Sequence, residues 1–273
     1  MQRQQIIESA KRHGAAIVGI ASVDRWEPAP VYARPTTILK DAQSVVVFGV
    51  PIPRGAVETI PSHIWTRLHG HLMGVMVDDI AWKLALELEA EGYKSVDIGG
   101  LVVGKSIFNK MVTALGGVPY PIHDFETEGE LALNWAGQVA GLGRVGTNSL
   151  LLTPQFGPNV ILGAVITTAK LEPDPMIEED LCDECGGCIK DCPAQAMGED
   201  RSFDMVKCFL MNAAEGRLLS KAMAAGDTAV QENLSKTIIG WTEHTPATCI
   251  CGAGCLAACP QDPRRKALKK VRV

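Results

Sequence analysis

Apolar positions along the chain change their period from segment to segment, and those changes mark out the elements. Between Gln2 and His13 the apolar residues Ile6, Ile7 and Ala10 fall at helical spacing, and Gly14 follows as a helix stop. Ala15 to Ile20 is a short continuous apolar run, the pattern of a buried strand. Ser44 to Val50 is a second such run, rich in valine and closed by Pro51 and Pro53, which cannot continue a central strand. A long helix is predicted from Ser62 to the stop at Gly92, with Ile64, Leu68, Leu72, Val75, Ile80, Leu84 and Leu88 inward, weakened locally by Gly70 and Gly74. Ser95 to Ile98 and Val160 to Thr168 are strand candidates, and Glu130 to Val139 reads as helix. Helix and strand alternate, as in a layered α/β arrangement.

The pattern breaks at Glu172-Pro173-Asp174-Pro175, a linker-like stretch, and all nine cysteines lie beyond it. The predicted boundary therefore separates a domain over 1–172 from one over 173–273. The chain has 273 residues, 47% of them hydrophobic, enough for one large core or two ordinary ones. No run reaches the roughly 18 apolar residues of a membrane span, and Met1 to Lys11 lacks the apolar core of a signal peptide. The expectation is a soluble cytoplasmic protein with no membrane partner. Its net charge of -5 disfavours nucleic acid, since phosphate binding needs a local excess of Lys and Arg. The exception is the tail Arg264, Arg265, Lys266, Lys269, Lys270 and Arg272, read as a solvated helix end, with an acidic redox partner as the alternative.

Cys182, Cys185, Cys188 and Cys192, followed by Pro193, form the C-x2-C-x2-C-x3-C-P run of bacterial ferredoxins. In that run the first three thiolates wrap one 4Fe-4S cube and the fourth ligates another, so a second set of cysteines is required. Cys208 and the group Cys249, Cys251, Cys255 and Cys259, closed by Pro260, supply it. Two cubanes take eight thiolates, leaving one cysteine over. Zinc is the competing metal, but its sites come as separated pairs and not as a run of four. One-electron transfer is the chemistry this pattern points to.

From Ala136 onward the chain resembles the epoxyqueuosine reductase family, corrinoid-dependent iron-sulfur reductases related to reductive dehalogenases. The likeness rests on Ala140-Gly141-Leu142-Gly143-Arg144-Val145-Gly146-Thr147-Asn148, on Leu162 to Thr168, and on the cysteine run with Cys208 sixteen residues after Cys192. Gly14 to Ala21 and Ala42 to Val47 are similar to the family's N-terminal strands. The resemblance implies an α+β protein: a nitroreductase-like α/β N-terminal domain holding cobalamin, beside a bacterial-ferredoxin-like module with two 4Fe-4S clusters. It implies Cys182, Cys185, Cys188 and Cys259 for the first cluster. For the second it implies Cys192, Cys208, Cys255 and either Cys251, preferred here, or Cys249. It places the corrinoid against Gly141, Leu142, Gly143, Gly146 and Asn148. A low-potential donor such as ferredoxin or flavodoxin would supply electrons, and the acceptor would be a small molecule or a protein.

Two departures limit the reading. The family's proton-donating aspartate falls at Thr127 here, flanked by Glu126 and Glu128 with His123 and Asp124 nearby, so no catalytic acid is named. The family's helical-repeat extension, which helps grip tRNA, is not seen in the fourteen residues after Cys259, and tRNA is therefore disfavoured. The expected function is a reductase that relays single electrons to a bound corrinoid. The alternative is an electron-transfer or activator protein with no substrate of its own. Gly141 to Gly146 also matches a dinucleotide G-x-G-x-x-G, but a helix precedes it where that motif needs a strand. His63, His69 and His71 are read as a polar helix face, and Trp135 as a candidate cofactor wall.

Overall fold

The computed structural model describes residues 2–29, 34–60, 72–99, 131–192, 194–203 and 253–265, together with Trp65 and Leu68. Helix α1, Arg3–Arg12, starts where the Gln5 side-chain oxygen accepts the Gln2 backbone N–H at 2.7 Å and turns its Ile6 and Ala10 inward. It stops at Gly14, whose φ of 114° is open to glycine and strained for other residues. Four strands follow: β1 (Ile17–Ser22), β2 (Ser44–Pro51), β3 (Ser95–Ile98) and, further along the chain, the long central β6 (Val160–Thr167). They form one sheet in the order β1-β2-β6-β3, and every neighbouring pair is antiparallel.

The alternation of helix and strand suggested an α/β arrangement, whose strands are parallel, so the antiparallel sheet corrects that part of the reading. The α+β class stands. Both faces of the sheet are nonetheless covered, which explains why β2 and β6 read as unbroken apolar runs instead of alternating ones. Val46, Phe48, Val50, Ile161 and Val165 face one way, against Ile6 and Ala10 of α1 and Ile80, Leu84 and Leu88 of a later helix. Val45, Val47, Leu162, Ala164 and Ile166 face the other way, against Ala136, Val139 and Ala140.

After β2 comes a short helix, α2 (Arg54–Glu58). The long helix expected from Ser62 has its start outside the described residues. Its visible part is a π-helical turn over Leu72–Val77 continuing into α3 (Asp78–Ala90), which ends before Gly92 at φ 89°. Val75 was expected to face inward, yet it is 52% exposed. It lies five residues before Ile80, well out of phase at 100° per residue, and Val77 takes the inward place. The helix expected over Glu130 to Val139 begins at Leu133 and forms α4 (Leu133–Val139). It leads through the glycine-rich turn into a small hairpin of β4 (Arg144–Val145) and β5 (Leu151–Leu152).

The stretch after β6 resembled a linker in sequence, but it is tied to the sheet. Leu171 is buried and its N–H bonds the Ser44 hydroxyl at 3.0 Å. Asp174 hooks onto the edge strand β1. Its N–H donates to the Ile20 carbonyl at 2.8 Å, and its carboxylate accepts the Ile20 N–H at 2.9 Å and pairs with Arg3. The two cysteine segments follow, each with a short helix: α5 (Gly187–Lys190) and α6 (Ala253–Ala258). Leu256 of α6 lies in the same core cluster as α1 and α3.

Candidate functional site

The first cysteine segment is shaped by its own acidic residues. One Asp180 carboxylate oxygen accepts the Cys182 N–H at 3.0 Å, and an Asp183 oxygen accepts the Cys185 N–H at 3.3 Å, so each D-x-C step is a side-chain-closed turn. Glu184 and Gly186 then adopt left-handed conformations, with φ of 53° and 67°, which turn the chain into α5 and place Cys188. Arg201 closes the segment from outside, bonding both Asp180 and Glu184 at 2.6 Å. The Cys182 N–H and Arg201 hold the Asp180 carboxyl below its ordinary range.

Cys182, Cys185, Cys188 and Cys259 line one pocket, together with Thr147, Asn148 and Leu152. The Thr147 hydroxyl lies 3.5 Å from the Cys182 sulfur. Burial pushes the Cys188 thiol up, and it pushes Cys259 to about 11, with the neighbouring thiols Cys182, Cys185 and Cys188 adding to the rise. Cys192 points elsewhere. It accepts the Ala196 N–H at 3.4 Å and sits with Ala196, Met197 and the half-buried Cys255 in a separate apolar cluster that also touches Cys188. The six described cysteines are free of disulfides. Cys208, Cys249 and Cys251 lie outside the described residues, as do His63, His69, His71, His123, Asp124, Glu126, Thr127 and Glu128.

This arrangement fits a polynuclear iron-sulfur group. The four thiols come from two segments and surround a common space. Among the described residues, no three His, Cys, Asp or Glu side chains are close enough to hold a single ion. A cubane instead takes one thiolate at each iron.

The second segment is held by a buried lock that the sequence reading missed. Asp262 is 1% exposed, and its carboxylate receives Asn159 at 2.7 Å and two nitrogens of Arg264 at 3.0 Å. Arg264 also reaches the Ile52 carbonyl at 3.0 Å and stacks over Phe156. Arg265 bonds the carbonyls of Ala257 and Cys259, closing the end of α6. Arg264 and Arg265 are therefore turned inward, which corrects their reading as part of a solvated helix end. Burial alone would raise the Asp262 carboxyl, but the Arg264 and Asn159 bonds outweigh it and hold the group below its usual range.

The glycine-rich turn is closely packed by the chain itself. A Cβ on Gly141, whose φ is 77°, would meet the Pro175 carbonyl oxygen at 2.2 Å, and one on Gly143 would meet the Leu152 carbonyl oxygen at 2.0 Å. On Gly146 it would meet the Leu152 side chain, and Leu142 is itself buried in the core. These glycines are required by the chain's own close packing. Only Asn148 of the five residues reaches the cysteine pocket. Gly141 and Leu142 also border a cleft of about 310 Å³ with Lys11 and Asp174. The Trp135 indole N–H is buried with no hydrogen-bond partner among the described residues.

No protein-family model matches the chain. Over 80 residues it is 40% identical to an epoxyqueuosine reductase of Bacillus anthracis, covering 29% of this chain and 21% of that protein. Over 125 residues it is 33% identical to the tetrachloroethene reductive dehalogenase of Sulfurospirillum multivorans, covering 44% of this chain and 22% of that one. The matches thus span about a fifth of those relatives' length. In fold, it is similar to a reductive dehalogenase whose structure is described as suggesting a mechanism for B12-dependent dehalogenation. That likeness has a TM-score of 0.55 at 17% identity and covers 83% of this chain and 34% of that one. An epoxyqueuosine reductase solved with a tRNA-Tyr stem loop covers 77% of this chain and 56% of its own, at 19% identity and a TM-score of 0.49. None of the described helices is long and apolar enough to cross a membrane. Parts of the chain are thus similar in sequence to epoxyqueuosine reductases and to reductive dehalogenases, and its fold is similar to that of a reductive dehalogenase.

Proposed function

We propose that the chain is an iron-sulfur reductase that moves single electrons through two 4Fe-4S clusters. The observation that carries this reading is the meeting of Cys182, Cys185, Cys188 and Cys259 around one pocket. Cys192 and Cys255, which cluster with Cys188 but do not line the pocket, would serve the second cluster with Cys208 and Cys251, or Cys249 in its place. When bound, such clusters supply one-electron transfer at potentials set by hydrogen bonds to sulfur and by burial. The chain provides both controls. Thr147 stands beside the Cys182 sulfur, Cys188 and Cys259 are buried, and Asp180, Asp183 and Arg201 fix the backbone that carries Cys182 and Cys185. We read residues 1–172 as a nitroreductase-like domain and 173–273 as a ferredoxin-like module, working in a reducing compartment with a ferredoxin or flavodoxin as donor.

Cobalamin enters the proposal through the likeness to a B12-dependent dehalogenase. A Cβ on Gly143 or Gly146 would run into Leu152, whereas Gly141 and Leu142 border the open cleft of about 310 Å³, so the likeness alone carries cobalamin here and no residue is assigned to hold it. No step is assigned through it. Thr127, standing where the family's proton-donating aspartate falls, favours a second reading, an electron carrier or reductive activator without a substrate of its own.

Anaerobic reconstitution followed by iron analysis tests the main claim. About eight irons per chain are expected for two cubanes, whereas four or fewer, or stoichiometric zinc, would overturn it. Titration with cob(II)alamin then separates the two readings. A shift in the cobalt spectrum supports the corrinoid reductase, and an unchanged spectrum leaves the carrier. Because the relatives are named for both epoxyqueuosine and tetrachloroethene, substrate assays should include an epoxyqueuosine-bearing tRNA stem loop and an organohalide.

A further inference from the structure

Helix α3 and the π-helical turn before it bury one side against the sheet through Val77, Ile80, Ala81, Leu84 and Leu88. On the opposite side, Val75, Trp82 and Leu86 are 52, 56 and 46% exposed, and Met76 is 36% exposed. Val75, Trp82 and Leu86 follow one another at intervals of seven and four residues, with Asp79 between the first two. That is the seam spacing by which one helix packs along another. Exposed apolar residues scattered singly need no explanation, but Trp82 aligned with Val75 and Leu86 along one helix, with Met76 on the flank, forms a patch of the kind that binds partners.

We propose that this stripe is a two-fold interface between two copies of the chain, with the α3 helices packed antiparallel. The charges on the stripe argue for a second copy and against an unrelated partner. Asp79 and Lys83 sit one turn apart on its flank and pair within the helix at 2.5 Å, with both side chains about half exposed. A two-fold axis crossing the helix near Ala81 reverses the residue order. It sets Asp79 of each copy opposite Lys83 of the other, and Val75 beside Leu86 of the other, while the two Trp82 rings meet beside the axis. An isologous interface demands this self-complementarity, in which each contact occurs twice. The intrahelical ion pair then becomes part of a four-charge network without any group losing its partner.

The stripe from Val75 to Leu86 is only about 16 Å long at 1.5 Å per residue. It falls short of the roughly 800 Å² per partner of a standard interface unless flanking surface joins in, so the dimer is expected to be concentration-dependent. The interface does not depend on the iron-sulfur reading, and each can fail alone.

Sedimentation velocity on the full chain over a range of concentrations tests it. The unchanged protein should pass from monomer to dimer. Trp82→Glu should weaken the dimer at least about 30-fold, the loss expected at a buried aromatic anchor. Asp79→Lys alone puts like charges together at both ends and should weaken association several-fold. The double change Asp79→Lys with Lys83→Asp should restore it. All three substitutions lie on the exposed face, and an unchanged far-ultraviolet circular dichroism spectrum checks that the fold is kept. A monomer at every concentration, a dimer indifferent to Trp82→Glu, or a failure of the charge swap to restore association would each overturn the proposal.

Discussion

Glycines in this chain separate into those that the packing requires and those that it tolerates. At Gly143 a Cβ would lie 2.0 Å from the Leu152 carbonyl oxygen, and a backbone atom cannot give way as the tip of a side chain can. Gly143→Ala is therefore expected to destabilise the fold by about 3 kcal/mol, measured by chemical denaturation. Gly55, within α2, has nothing within 4 Å of its absent side chain. Gly55→Ala should be neutral or stabilise by about 0.5–1 kcal/mol. If Gly143→Ala proved harmless and abolished cobalamin binding alone, the turn would be a ligand seat after all. Thiol access offers a second residue-scale check. Cys185 is exposed, whereas Cys259 is buried with its thiol pushed up to about 11. In the metal-free protein at pH 8, Cys185 should be alkylated well before Cys259, as followed by peptide mass spectrometry.

Elements set by local pattern were legible in the sequence, and those set by distant contacts were not. The strands at Ser44 and Val160 were visible because both faces are buried and the residues run apolar without a break. The helix stops at Gly14 and Gly92 were visible because both adopt positive φ, which glycine alone takes without cost. The meeting of Cys259 with Cys182, Cys185 and Cys188 in one pocket agrees with the first set that the resemblance implied, and the D-x-C steps at Asp180 and Asp183 carried a turn signal that went unread. The joining of Asp262 to Asn159 lies across 103 residues and left no local trace. The close neighbours of the glycine-rich turn, Pro175 and Leu152, were hidden too, since they lie in other segments. The Asp262 lock carries its own prediction. Asp262→Asn leaves Arg264 without its buried counter-charge and should cost about 3 kcal/mol, as for other broken buried pairs. In the metal-loaded protein it should also loosen the hold of Cys259, read as faster iron loss to a chelator.

At the scale of the whole molecule, the N-terminal sheet and the C-terminal cysteine segment share a core, because α6 packs against α2 and its Leu256 belongs to the same buried cluster as Val57, Ile6 and Ile80. The two parts should unfold together, in a single calorimetric transition; two resolved transitions would mean that the boundary at 172/173 separates independent units. Acid should weaken this union. The Asp262 and Glu87 carboxyls are both held below their ordinary range in the folded chain. Burial opposes that shift in each case. Arg264 and Asn159 outweigh it at Asp262, and Ser9, His13 and Arg12 do so at Glu87. A folded value below the unfolded one means that the stabilisation is complete above the ordinary carboxylate range and is lost as pH falls through the depressed values. Thermal midpoints should thus hold between pH 6 and 7 and drop below about pH 4.

The pocket shared by Cys182, Cys185, Cys188 and Cys259 also has a consequence for biogenesis. Its last sulfur lies 67 residues beyond Cys192, so a growing chain displays three thiols of the first set well before the fourth exists. At roughly 5–20 residues per second of synthesis, that interval lasts several seconds. A metal group that needs all four sulfurs can be seated only after α6 has emerged and docked through Asp262 and Leu256. Loading of the proposed first cluster would therefore follow the synthesis of α6, and until then its three early thiols would have to be kept from oxidation by the surrounding cell.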